Sequence, residues 1–194
     1  MSYAGLVLAA GAGRRFGQPK ALVEYDGRSL LDRAVATLRE GGCRQVLAVL
    51  GAQAEQAMGA AKEPFTPVLN RRWGQGMSTS LQAGLAAIPE RYDGVVVTLV
   101  DLPHIRPEAV RRLIAAADDG AELAAATYDG ERGHPMFFSR KHFDGIAADA
   151  AGDRGARNYL AAKAALVREV PCPGDAGDID TPADLTALEG GAAA

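Results

Sequence analysis

Cysteine is nearly missing from this chain of 194 residues: only Cys43 and Cys172 occur, far apart and in no C-x-x-C pair. That excludes a cysteine zinc site and argues against a disulfide scaffold, so a reducing cytoplasm is the expected setting. Positive charge is not in excess either. Lys and Arg total 21 against 24 Asp and Glu, a formal net charge of −3, whereas a general nucleic-acid binder is usually basic. Any grip on an anion must therefore be local. No apolar run is long enough to span a membrane, and the start "MSYAGLVLAAGAG" has no basic leader. Neither a membrane nor a nucleic acid is expected as a partner.

The rest of the composition, 48% hydrophobic and 23% charged, is that of an ordinary globular protein. Its length suits one domain over residues 1–188, followed by a frayed tail at 189–194. Apolar β-rich runs at 5–10, 45–50, 66–70, 94–100 and 121–127 alternate with helical patterns near 29–42, 77–88, 107–117 and 155–166. Ser29 serves as one N-cap, Pro107 suits a first helical turn, and Thr181-Pro182-Ala183-Asp184 reads as another helix start. The alternation predicts βαβ units around a mostly parallel sheet, a three-layer α/β/α sandwich. Within it, 94–100 is apolar almost throughout, as a central strand buried on both faces should be.

The first strand runs into "LAAGAGRRFGQPK" at 8–20. A dinucleotide loop needs G-x-G-x-x-G, but after Gly11 and Gly13 the next glycine is Gly17, one place late. No acidic residue closes "QVLAVLG" at 45–51 to hold a ribose. An ATPase loop needs G-x-x-x-x-G-K-[ST], and Gly17 is followed by Gln18. What remains is a glycine cradle whose backbone N–H groups can approach phosphate, with Arg15 as a forked donor and Lys20 as a point charge. Two cations and a backbone cradle suit a triphosphate.

These residues resemble the L-A-A-G-x-G-x-R-x-G-x-x-K signature of nucleotidyltransferases that add CMP or GMP to the molybdenum cofactor, the MobA-like NTP transferases. The resemblance implies the Rossmann-like fold of nucleotide-diphospho-sugar transferases over nearly the whole chain. It also implies nucleotide contacts at Leu8, Ala9, Ala10, Gly11, Gly13, Arg15 and Lys20, with Arg15 and Lys20 acting in catalysis.

Bringing an anionic acceptor onto a triphosphate calls for a cation, and Mg²⁺ on one or two carboxylates is the usual means. Asp101 follows the buried strand at the carboxyl edge where open α/β sheets hold ligands, although an isolated Asp-x-Pro more often just caps a turn. In "GDIDTPADL", Asp178 and Asp180 alternate in an extended segment, so both can approach a metal only if the backbone bends. The resemblance makes Asp101 a catalytic metal ligand and Asp180 its partner, with Asp178 behind them, and admits Mn²⁺ in place of Mg²⁺.

Further motifs extend the resemblance. "NRRWGQGMSTSLQAGL" is similar to the family's nucleotide element, which implies Asn70, Gly76 and Ser80 as nucleotide contacts. Ser78 serves equally well as an N-cap, and Trp73 is read as a packing anchor. "ERGHPMFF" and "GDRGARNYL" resemble the elements on the acceptor side, implying roles for His134, Asp153 and Arg157, while His104 and His142 are read as exposed.

The reaction so implied moves a nucleotide monophosphate from an NTP onto the terminal phosphate of molybdopterin, releasing pyrophosphate. "LAAG" is similar to the cytidylyl branch and favours CTP; the guanylyl branch tends to L-A-G-G. A molybdenum hydroxylase would be the downstream partner. Two other readings stay open: an NAD(P)H-dependent reductase of the nicotine-blue type on the same motifs, and a non-catalytic carrier of the finished cofactor.

Overall fold

The structure is a computed structural model and describes residues 1–191. Along the chain run β1 (Tyr3–Ala9), β2 (Glu24–Tyr25), β3 (Arg28–Ser29), α1 (Leu30–Glu40), β4 (Gln45–Leu50), α2 (Ala54–Ala60), β5 (Thr66–Leu69) and α3 (Met77–Ala87). There follow β6 (Gly94–Leu99), α4 (Pro107–Asp118), β7 (Leu123–Tyr128), β8 (Glu131–Ser139), α5 (Phe143–Asp149), α6 (Arg157–Ala162), β9 (Val167–Pro171) and α7 (Pro182–Gly191).

Seven strands form one sheet in the order β5-β4-β1-β6-β8-β7-β9, and β2 pairs with β3 in a small hairpin. The half that carries the opening loop is parallel, β1 lying between β4 and β6. Alternate residues of β1 feed two cores, as a strand of period two must. Tyr3, Val7 and Ala9 pack towards α1 and α4, while Ala4, Leu6 and Leu8 pack towards α3, α5 and α6. The α/β/α sandwich is therefore the observed fold, and the β6 run is buried almost throughout, as its composition predicts.

Helix starts follow local chemistry. Ser29 accepts from the Asp32 amide at 3.0 Å and caps α1. At α7 the Asp184 carboxylate accepts from the Asp180 and Thr181 amides at 3.0 and 2.7 Å, while Thr181 Oγ1 accepts from the Asp184 amide at 3.3 Å. That reciprocal cap fixes the backbone on which Asp180 sits. The helix then runs to Gly191, past residue 188 where the sequence pattern ends the domain; 192–194 lie outside the described residues.

Several elements differ from the sequence reading. Strand β8 pairs antiparallel with both β6 and β7, though Gly133 and Pro135 are poor strand formers. A register shift resolves the conflict: Ala125 pairs with Met136 and Ala126 with Gly133, which leaves His134 and Pro135 outside the ladder. A proline there forfeits no ladder hydrogen bond. Helices α2 and α5 and strand β9 are short, and their patterns carry too few turns to stand out. The histidines also differ from expectation. His142 is buried, bonded to Tyr159 Oη at 2.8 Å and Glu122 Oε2 at 3.1 Å, and His104 is half-buried with its ring edge-on to Tyr25. No described helix is long and apolar enough to cross a membrane.

Candidate active site

The opening loop leaves β1 at the carboxyl edge of the parallel strands and closes on itself. The Phe16 and Gly17 amides donate to the Gly13 carbonyl at 2.9 and 2.8 Å. Gly13 holds φ +60°, and a Cβ added there would lie 1.9 Å from the Gln18 carbonyl oxygen, so only glycine fits this fold of the loop. The turn delivers Lys20 to the carboxylates. Its Nζ donates to Asp101 Oδ2 at 2.7 Å and to Asp180 Oδ1 at 2.6 Å. Arg15 reaches the other Asp180 oxygen at 2.8 Å from a largely exposed position.

Asp101 and Asp180 are distant in sequence, and a backbone bond joins them: the Ile179 amide donates to the Asp101 carbonyl at 2.9 Å. Ile179 is fully buried, so its side chain anchors the late segment to the core and leaves Asp178 and Asp180 flanking Asp101. Asp101, Asp178 and Asp180 can each offer one oxygen, all within 4.8 Å of one another. The resemblance sets Asp178 behind the other two; the structure brings its carboxylate within the same 4.8 Å span.

Electrostatics follow from this packing. Burial opposes the Lys20 charge, but its bonds to Asp101 and Asp180 outweigh that and raise its pKa above the usual lysine value. The Lys20 bond holds the Asp180 carboxyl below the usual range against a burial penalty, with Arg15 adding to the effect. Asp101 Oδ1 is buried and has no hydrogen-bond partner. An orphaned carboxylate oxygen beside two more carboxylates is a donor set that fits a hard divalent cation such as Mg²⁺ or Mn²⁺.

A cleft of about 250 Å³ opens above this cluster. Of the expected nucleotide residues, Leu8, Ala9, Ala10, Gly11, Gly13, Lys20, Gly76 and Ser80 line it, together with Asp101 and Asp153. Trp73, Met77, Leu99 and Val100 also line it; apolar side chains of this kind give no sequence signal that separates cleft from core. Trp73 packs on the core as well, so its anchoring role and its place in the cleft coexist.

Asn70 lies beneath the cleft rather than in it. Its Nδ2 donates to Thr79 Oγ1 at 2.9 Å and Ser80 Oγ at 3.0 Å, while Oδ1 accepts from the Arg72 amide at 2.9 Å. The buried amide thus fixes the position of the Ser80 oxygen, which accepts its bond, and leaves the hydroxyl proton free to donate elsewhere. Replacing Asn70 by alanine strands several of these groups, and unfolding in urea should then show a loss of about 2 kcal/mol.

The start of α3 is closed by the "GDRGAR" loop. The Met77 amide donates to Asp153 Oδ1 at 3.1 Å and the Ser78 amide to the Gly152 carbonyl at 2.9 Å. Gly76, at φ +113°, occupies the N-cap position, and a Cβ there would lie 2.7 Å from Gly152. Ser78 is buried as the second residue of the helix and is not the cap.

A second cavity of about 340 Å³ adjoins the first and shares Leu8, Met77, Leu99 and Asp153 with it. Its floor is apolar, with Leu81, Val97, Met136, Phe138 and Leu160. His134, Asp153 and Arg157, the residues of the two later motifs, line it together, joined by Arg132 and Arg154. Burial pushes the His134 imidazole down to about 4; Asp101 pulls it up and Arg157 lowers it further. The ring is neutral near pH 7 and can act as hydrogen-bond donor or acceptor.

Residues 5–168 match the family of MobA-like NTP transferase domains. The chain belongs to this family. Among relatives of this chain, a protein named nicotine blue oxidoreductase from Paenarthrobacter nicotinovorans is 38% identical over 188 residues, covering 91% of each chain. A solved Rv0371c homologue from Mycobacterium sp. strain JC1 is 31% identical with a TM-score of 0.86, covering 98% of this chain and 96% of that one. Rv0371c of Mycobacterium tuberculosis, solved in complex with manganese, is 30% identical with a TM-score of 0.82, covering 97% and 98%.

Proposed function

We propose that this NTP transferase transfers CMP from CTP to the terminal phosphate of a molybdopterin acceptor. The observation that carries the reading is the meeting of Lys20, Arg15, Asp101 and Asp180 at the mouth of the glycine loop, beside a second cavity rimmed by arginines. In this reading the triphosphate lies along Gly11–Gly13 with Lys20 and Arg15 on its outer phosphates. The acceptor occupies the second cavity, its flat ring on the apolar floor and its phosphate at Arg157 and His134.

An acceptor phosphate oxygen attacks the α-phosphorus, forming a new P–O–P bond, while the bond from the α-phosphorus to the α,β-bridging oxygen breaks. The electron pair leaves with pyrophosphate, and Lys20 and Arg15 offset its growing charge. Asp101, Asp180 and Asp178 would hold Mg²⁺ or Mn²⁺, which supplies further charge neutralisation on the phosphates. Asn70 enters only by holding the Ser80 hydroxyl towards the nucleotide.

Purified protein with Mg²⁺ and molybdopterin should release pyrophosphate faster with CTP than with GTP, ATP or UTP. Pyrophosphate release that prefers GTP would overturn the donor assignment, and none with any NTP would overturn the transferase reading. A second reading draws on the relative named nicotine blue oxidoreductase and on the apolar floor of the second cavity, which suits a flat dye: reduction of a quinonoid substrate by NAD(P)H. Loss of NAD(P)H absorbance with such a dye, undiminished by a chelator, would favour it.

A further inference from the structure

Lys20 stands in an unusual place for a residue assigned to phosphate. Its ammonium is bonded to an oxygen of Asp101 and an oxygen of Asp180 at once, at 2.7 and 2.6 Å. It is mostly buried, whereas Arg15, the other cation on Asp180, is 72% exposed. The same two carboxylates, with Asp178, form the cluster able to hold a divalent cation. A buried ammonium and a divalent cation cannot share those oxygens, because like charges repel strongly where screening by water is weak. We infer that Lys20 is the resident counter-ion of the Asp101–Asp180 pair, and that an incoming triphosphate draws it off and opens the pair to the metal.

The inference rests on the transferase reading for its trigger. The triphosphate offers Lys20 a stronger set of anionic partners, so the ammonium leaves the carboxylates for the phosphates. The freed oxygens, with the unpartnered Asp101 Oδ1, then accept the metal. By linkage the metal strengthens nucleotide binding by the same factor. Before nucleotide arrives the cluster has low affinity for free metal, and carboxylates crowded in one place are kept from repelling one another.

The test reads metal binding without nucleotide, by electron paramagnetic resonance titration of Mn²⁺ at pH 8. Lys20→Met should bind Mn²⁺ at least about tenfold more tightly than wild type, and Lys20→Arg should stay weak. Arg15→Met controls for mere loss of positive charge; its exposed guanidinium is screened, and the change should stay within about threefold. Lys20→Gln is the second variant should methionine fail to fold, with circular dichroism as the check on both. A Lys20→Met protein that folds and binds Mn²⁺ no better than wild type overturns the inference, as does equal tightening by Arg15→Met.

A separate arm uses CTP in chelator, read by the fluorescence of Trp73, the one tryptophan. Wild type should respond, and Lys20→Met should need at least about tenfold more CTP. No response from wild type would remove the nucleotide trigger and the transferase reading together. The manganese comparison would still decide whether Lys20 blocks the metal.

Discussion

Asp101→Asn should lower kcat/KM for pyrophosphate release by at least about 100-fold while the protein still folds. Asparagine keeps the shape of the side chain and one oxygen that can accept from Lys20. It replaces the other oxygen by an NH₂ group, which cannot ligate a cation, and removes the charge. Because Asp101 Oδ1 has no partner in the protein, its loss leaves few contacts to break. The Asp101 carbonyl still accepts from the Ile179 amide, so Asp178 and Asp180 stay in place. Folding free energy should change little, and thermal unfolding is the control. Initial rates with Mg²⁺ and the preferred NTP measure the effect; turnover equal to wild type would remove Asp101 from the mechanism.

Asp101 also illustrates what a sequence can and cannot disclose. Its place past a buried strand is legible in the apolar run "VVVTLVDLP", but its role is not: an isolated Asp-x-Pro more often caps a turn, and only the family resemblance implies a metal ligand. The partnership with Asp180 is another matter. It depends on Ile179 plugging into the core and on a backbone bond between residues 78 positions apart, and neither leaves a mark in local periodicity. The family resemblance points to Asp180; the buried Ile179 and the reciprocal cap of Asp184 on Asp180 and Thr181 explain how the position is held.

Strand β8 was hidden for the opposite reason. Gly133, His134 and Pro135 read as a break, yet the register shift places two of them outside the ladder and turns the break into one wall of a cavity. The motif and the irregularity are the same feature. Asn70 shows a third kind of gap. The residue type says that it can bond in both directions, but only the fold decides that it spends those bonds on Thr79, Ser80 and Arg72. In the proposed function its effect on the nucleotide would then pass through Ser80.

The second large effect is expected at Gly13. An alanine there must hold φ near +60°, which costs about 1–2 kcal/mol for an L-residue, and its Cβ would overlap the Gln18 carbonyl at 1.9 Å. The loop has to open to relieve that contact, and opening it moves Lys20, two residues beyond Gln18, off the carboxylates. CTP affinity, followed by Trp73 fluorescence, should fall at least about 100-fold, while the core strands keep their packing and unfolding shifts by a few degrees only. Gly11→Ala separates the two roles of glycine in this loop. A Cβ at Gly11 meets nothing within 4 Å and the backbone there has no positive φ, so the free protein accepts the methyl group without strain. Gly11 nonetheless lines the cleft, where the bare backbone lets phosphate approach. Gly11→Ala should therefore match wild type in thermal unfolding and lose at least about tenfold in CTP affinity. If Gly11→Ala binds CTP as wild type does, phosphate does not lie against Gly11. If Gly13→Ala binds equally well, the loop is not the cradle.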